Sequence, residues 1–202
     1  YCNRLYYENE YGYQEIMDNA VNKNVIYNNN RITGIYSTDN SYTELHQNTI
    51  DNNQYGYGIW SNNCTNQVTY RNNSVTNNQD GIRSDNNVQA LEFNNSWNNS
   101  LSNYQGGLNG TGNLTNINVN GNVSDIYYNI SENPQYINPA EGNYKLQSNS
   151  PNINAGWSGI LDPDGSISDI GRYYFIPAPA VQMQPSAINI NRIEQGTFNY
   201  DT

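Results

Sequence analysis

One short phrase is written three times between Glu44 and Trp97, and it limits what this chain can fold into more than any other feature. It reads LHQNTIDNNQYGYGIW from Leu45, YRNNSVTNNQDGIRS from Tyr70 and FNNSWNNS from Phe93, with a looser copy, IYNNNRITGIYS, from Ile26. Each copy sets an apolar residue before an Asn-rich corner, then a β-branched or aromatic residue, a second Asn-rich corner and usually a Gly-Ile pair. The Gly-Ile pairs begin at Gly34, Gly58 and Gly81, so they recur 24 and then 23 residues apart. Repeats of roughly 20–50 residues point to solenoids or propellers, whose units bury their apolar faces against their neighbours. The pattern predicts a solenoid.

The interior of each repeat says which kind. Its apolar residues come in short alternating pieces (Val68 and Tyr70; Leu91 and Phe93), the period of a strand and not of a helix. Asn makes up about one residue in five, a composition poor for helices and suited to turns. Asn tolerates the left-handed backbone of a tight corner. Asn30, Asn48, Asn73 and Asn95 are therefore expected at one corner of successive coils, their side chains stacked in a hydrogen-bonded ladder. Three short strands per coil make the predicted fold all-β: a right-handed parallel β-helix of about five or six coils. Its repeats resemble those of the parallel β-helix repeat proteins, the pectate-lyase-like superfamily that includes polysaccharide enzymes.

Composition narrows the function. The chain has 202 residues, 35% hydrophobic and 13% charged, with a formal net charge of −10 and a mean hydropathy of −0.87. So polar a chain folds as a β-helix because the narrow core needs only alternate residues of short strands. With 18 acidic against 8 basic residues, no Lys/Arg cluster is present to neutralise phosphates, which argues against nucleic acid as a partner. The same charge disfavours anionic membranes and polyanionic glycans, and no apolar run is long enough to insert into a bilayer. Cys2 and Cys64 have no metal-site spacing; the repeat register places them several coils apart, which favours two thiols over one disulfide. A surface rich in Asn, Thr, Ser and Tyr, with sequons at Asn63, Asn72, Asn94, Asn98, Asn109, Asn113, Asn122 and Asn129, fits a secreted or cell-surface protein. Those asparagines carry glycan only if the source glycosylates.

In chain order, residues 1–24 read as the tail of a coil with Leu5 inward, and EIMDNAVNKN as a looping corner in preference to a short helix. Residues 25–100 hold the regular coils, and 101–124 a longer loop followed by a last, imperfect coil. Residues 133–175 contain NPQYINPAEGNYKLQSNSPNINAG and LDPDGSISDIGRYYF. This stretch resembles the closing segment of many secreted β-helix repeat proteins, departing from it at Arg172, where that family usually has Ala. The resemblance implies a β-helix terminus and implies nothing about catalysis. A Pro/Ala-rich linker, IPAPAVQMQP, follows. The last residues, PSAININRIEQGTFNYDT, resemble the opening strands of secreted Ig-like β-sandwich domains. The expected domains are thus a β-helix over 1–175, with or without its first coils, and over 176–202 a linker with the first strand of a truncated Ig-like domain or an extended tail.

Four sets of residues are candidates for chemistry. If Ile35, Ile59 and Ile82 point inward, Tyr36, Trp60 and Arg83 form an outward row about 4.8 Å apart, where aromatics stack on sugar rings and Arg donates to hydroxyls. On the adjoining strand, Glu44, His46, Thr69, Arg71 and Glu92 face outward. Tyr36, Trp60, Arg71 and Arg83 are therefore the expected carbohydrate-binding residues. Lyases of the resembled superfamily use Arg or Lys beside Ca²⁺, and its hydrolases use clustered Asp. Asp80, Asp85, Arg71, Arg83, His46 and Glu92 supply such types but match no catalytic motif of the family. Asp162, Asp164 and Asp169 sit at the spacing of an oxygen-rich Ca²⁺ loop without its bidentate Glu, and equally at that of a Pro-Asp-Gly turn. Finally, the 19 tyrosines offer a hydrogen-bonding surface. The expected function is a non-catalytic module for carbohydrate binding, adhesion or extracellular assembly, needing no cofactor unless the acidic loop takes Ca²⁺. Its partners would be a polysaccharide or glycan surface, or other extracellular subunits. The alternatives are a polysaccharide lyase or glycoside hydrolase using the outward face, and a structural subunit of a filament or surface layer.

Overall fold

The computed structural model describes residues 4–9, 12–16, 20–22, 25–27, 33–38, 43–64, 68–85 and 88–177. Regular structure among them is all β apart from one 3-10 turn at Pro139–Glu141. Strands β1 (Arg4–Asn9) and β2 (Gly12–Ile16) form an antiparallel hairpin. Twelve short strands follow in four tiers of three. The first tier is β3 (Ala20–Asn22), β4 (Val25–Tyr27) and β5 (Thr33–Thr38). The second is β6 (Thr43–His46), β7 (Thr49–Asp51) and β8 (Tyr57–Asn62). The third is β9 (Val68–Arg71), β10 (Ser74–Thr76) and β11 (Asp80–Ser84). The fourth is β12 (Val88–Glu92), β13 (Asn95–Trp97) and β14 (Ser102–Gly106). The chain visits three parallel sheets in rotation, so that β3-β6-β9-β12, β4-β7-β10-β13 and β5-β8-β11-β14 each stack in tier order.

This stacking agrees with the reading of residues 25–100, and it extends to both sides. Residues 20–22, expected in a loop, are strand β3; residues 102–106, expected in a loop, complete the fourth tier. The first residues depart from expectation: instead of a coil tail they form the β1–β2 hairpin, whose β1 runs antiparallel to β5. An antiparallel hairpin satisfies the outer backbone edge of β5, which would otherwise be an open template for strand addition.

Three inward columns make the core: Ile35, Ile59 and Ile82; Leu45, Tyr70 and Leu91; Ile50 and Val75. All are fully buried, worth about 1.5–3 kcal/mol per side chain. Each Gly of the Gly-Ile pairs is required by this crowding. A Cβ on Gly34 would lie 2.6 Å from Ile50 Cγ2, one on Gly58 would run into Val75 Cγ1, and one on Gly81 into Ser96 Oγ. At the fourth tier Tyr104 takes the inward position; its hydroxyl donates to Ile130 O (2.7 Å) and accepts from Ser96 N–H (3.0 Å).

Corners are built from a left-handed residue followed by an inward Asn. Gln47, Asn72 and Phe93 (φ 52, 56 and 55°) hold the first corner, and Asn52, Asn77 and Asn98 (φ 61, 56 and 55°) the second. At the first corner Asn48 N–H and Nδ2 donate to Asn73 Oδ1 (3.1 and 2.9 Å). Asn73 donates likewise to Asn94 (3.0 and 2.9 Å), and Asn94 to Asn129 (both 3.0 Å). A second ladder runs Asn53, Asn78, Asn99. The expected ladder is thus present with one correction. Asn95 is not a rung; it begins β13 opposite Ser74, and Asn94 stands in the stack. The reason is a register shift: Leu91, not Phe93, pairs with Tyr70, so Phe93 falls at the corner and stacks on Tyr128 at 5.1 Å. Asn30 lies outside the described residues, as do Cys2 and residues 178–202 with the Ig-like reading. Cys64 is buried, its sulfur 3.6 Å from Ser37 Oγ.

After β14 the chain makes a small hairpin, β15 (Asn116–Ile117) with β16 (Val123–Ser124), and crosses the fourth tier, where Ile130 bridges Asn95. A second hairpin follows, β17 (Tyr136–Asn138) with β18 (Asn143–Leu146). Residues 134–172 then run back along the outside of the β7–β10–β13 sheet. Tyr136 Oη bonds Ser74 Oγ (2.6 Å), Tyr144 Oη donates to Asp51 Oδ2 (2.9 Å) and Arg172 N–H donates to Thr49 Oγ1 (3.0 Å). This strap buries the outer face of β7 and β10, whose residues are buried on both sides. The stretch that resembles a β-helix terminus therefore lies against the flank of the stack, while residues 127–131 before it bond to the fourth tier.

Candidate functional site

Two outward clusters contain the predicted site residues, and they lie on different sheets. The first is on β5–β8–β11–β14, where Tyr36, Trp60, Arg83 and Gln105 pair in register across four tiers. Inward Ile at the preceding position forces each of the first three side chains outward. Tyr36 and Trp60 rings sit 4.7 Å apart, tilted by 38°, and Tyr57 flanks Trp60 at 5.0 Å. The Arg83 guanidinium lies over both the Tyr57 ring (5.4 Å to its centroid) and the Trp60 ring (5.7 Å). It is pinned there: Nε donates to both Asp85 oxygens (2.9 Å each), Nη1 to Tyr57 Oη (2.7 Å), and Trp60 Nε1 donates to Asp85 Oδ2 (3.0 Å). The bond to Asp85 holds the Arg83 pKa above its usual value. Asp80 accepts from Gln105 Nε2 (2.9 Å); burial raises its pKa, against the pull of Arg83. Arg83 therefore carries no surplus charge on this face.

The second cluster is on β6–β9–β12. His46, Arg71 and Glu92 pair in register, and Arg71 Nε meets Glu92 Oε1 at 2.6 Å. The Trp157 ring of the strap lies 4.3 Å from the Arg71 guanidinium, and the Trp157 backbone N–H donates to Asn72 Oδ1 (2.8 Å). Burial pushes His46 below the usual imidazole range, Glu44 pulls it up and Arg71 pushes it down. Thr69, expected outward, is buried. Arg71 is thus occupied by Glu92 and Trp157 and does not join the Trp60–Arg83 cluster.

The acidic loop behaves as a turn. Asp162 Oδ2 accepts from Asp169 N–H (2.9 Å), Asp164 Oδ1 from Ser166 N–H (3.0 Å), and Asp169 from Asn154 and Phe175 N–H (2.7 and 2.6 Å). Burial raises the Asp169 pKa to about 6, despite those N–H donors and aided by Asp162. No three Asp, Glu, His or Cys side chains converge among the described residues in a way that would hold a metal ion. The loop's carboxylates accept from backbone N–H groups of the turn and its flanks.

Among the sequon asparagines, Asn72, Asn94 and Asn129 are fully buried, with amides engaged in the corners. Asn63, Asn98, Asn109 and Asn113 are exposed and Asn122 is half-buried. Tyr57 and Gln105 are members of the first cluster that sequence reasoning missed. Tyr57 was legible as the residue before Gly-Ile on the same strand as Trp60; Gln105 was hidden in a stretch read as loop. No helix among the described residues is long and apolar enough to cross a membrane. No protein family matches the chain, and neither a curated protein nor a solved structure is significantly similar to it.

Proposed function

We propose that the chain is a right-handed parallel β-helix of the pectate-lyase-like kind, acting as a non-catalytic module of a secreted or cell-surface protein that binds polysaccharide. The observation that carries this reading is the outward column of Tyr36, Trp60 and Arg83, continuous from tier to tier and flanked by Tyr57. Aromatic rings offer apolar faces to sugar C–H groups, and a fixed guanidinium offers hydroxyls further donors in a rigid fork. The clamp of Arg83 by Asp85 favours a neutral glycan, because a uronate would have to compete with a carboxylate already in place. It also favours binding over hydrolysis: Asp80 and Asp85 are committed to Gln105 and to Arg83 with Trp60, leaving no uncommitted acid–base pair among the described residues of this cluster. The test is a glycan array followed by calorimetry on the full chain and on Trp60→Ala. A neutral polysaccharide bound at least tenfold more weakly by Trp60→Ala is expected. No glycan bound, or equal binding by the variant, sinks the reading.

A further inference from the structure

We infer that the cleft between the end of β13 and residues 133–147 is a separate binding site for the ring of a neutral saccharide. The cleft has a volume of about 330 Å³, within the ~300–1,000 Å³ of small-molecule sites. Trp97 forms one side; it follows Asp51 and Thr76 in the outward column of its sheet and is only half-buried. Pro134, Tyr136 and Pro139 form part of the lining, the rest is amide and hydroxyl, and no charged side chain contributes.

The polar groups divide into a frame and a set left over. Tyr136 Oη is held by Ser74, Asn77 donates to Asp51 and accepts from Asn98, and Gln147 Nε2 donates to Tyr136 O (2.9 Å). By contrast, Trp97 Nε1–H, the Gln135 side-chain amide and Asn133 Nδ2 meet no partner among the described residues, while Asn133 Oδ1 accepts from Gln135 N–H. An apolar ligand would strip water from these groups and leave them unpaired, at a cost. An anion would find no cation. A pyranose has an apolar face for the indole and hydroxyls that both donate and accept, which matches free amides. A neighbouring concavity of about 500 Å³ shares Asn133 and Gln135 and runs on past Asn122 and Asn154, with Glu132 its one charged residue. The site therefore has room for more than one sugar. It lies on a different sheet from Trp60 and does not rest on the reading of that face.

The experiment uses the full chain, with neutral hexaoses (β-1,4-glucan, xylan, mannan and chitin series) followed by calorimetry and by the tryptophan indole ¹H–¹⁵N resonances. One of these hexaoses should shift the Trp97 indole resonance. In a Trp60→Ala background, which removes the first face from the measurement, its affinity should fall at least tenfold on adding Trp97→Ala and severalfold on adding Gln135→Ala. Gln135→Ala guards against loss of fold, since that side chain holds nothing in place. The inference is overturned if no hexaose binds, if binding follows Trp60 and ignores Trp97 and Gln135, or if a proline-rich peptide and no sugar perturbs Trp97. Failure at Trp97 with binding kept at Trp60 leaves the first site standing, and the reverse leaves this one.

Discussion

At the residue scale, the corner asparagines do two jobs at once. The preceding residue turns the chain in the left-handed region, and the Asn that follows sends its amide inward to the next tier. Asn73 accepts two bonds from Asn48 and donates to Leu45 O (2.7 Å) and Asn94; it is fully buried. Asn73→Ala strands several of these groups, each costing about 1–3 kcal/mol. Chemical denaturation should show a loss of about 3 kcal/mol, against less than about 0.5 for Asn113→Ala on the surface. Equal effects at the two positions would mean that the ladder contributes nothing. The ladder's existence was legible in the repeat; its membership was not, because Asn94 and Asn95 are identical neighbours and a one-residue slip separates rung from strand.

At the element scale, each tier is a set of strands three to six residues long, and no strand stands without its neighbours. The Gly-Ile glycines show how tightly tiers mesh. Gly58→Ala places a methyl against Val75 Cγ1 and 2.8 Å from Asn78 Nδ2, and overpacking of this kind costs about 1–3 kcal/mol. Val75→Ala opens a cavity and also destabilises. The two changes share one space, so the double variant should be more stable than the sum of the single effects predicts. Simple additivity in urea denaturation would show that Gly58 is there for another reason. The strap is the element least legible in advance. Its resemblance to a terminus says where a stack ends, whereas its fit to Thr49, Asp51, Ser74 and Asn95 depends on polar side chains that read, in sequence, as ordinary outward residues.

At the scale of the whole molecule, acidity and the burial of two carboxylates act in one direction, with half-buried His46, whose pKa is lowered, opposing them. Asp169 titrates near 6 in the folded chain, against about 3.9 unfolded, and Asp80 is raised too. A raised carboxylate pKa means that the folded state binds more protons than the unfolded one. Its contribution is full below about pH 4 and is lost as pH rises through about 6. The net charge of −10 adds repulsion with the same sign. Melting should therefore occur at higher temperature at pH 5 than at pH 7, and the Asp169 carboxyl ¹³C shift should titrate near pH 6. A melting temperature that rises from pH 5 to 7 contradicts both.

By itself the sequence determined the all-β, stacked architecture, since a period of 23 to 24 residues with alternating Ile and Val leaves no helical way to bury them. It also determined the Tyr36–Trp60–Arg83 column, because an inward Ile before each one sets its direction. Only the tertiary structure decided that Arg71 belongs to another sheet and is covered by Trp157, and that Arg4–Asn9 and Gly12–Ile16 pair antiparallel. It alone laid the strap along one flank, creating the Trp97 cleft. Those outcomes depend on contacts between segments as far apart as Asn72 and Ser168, or Thr49 and Arg172, and local pattern carries no information about which distant surface a polar segment will cover.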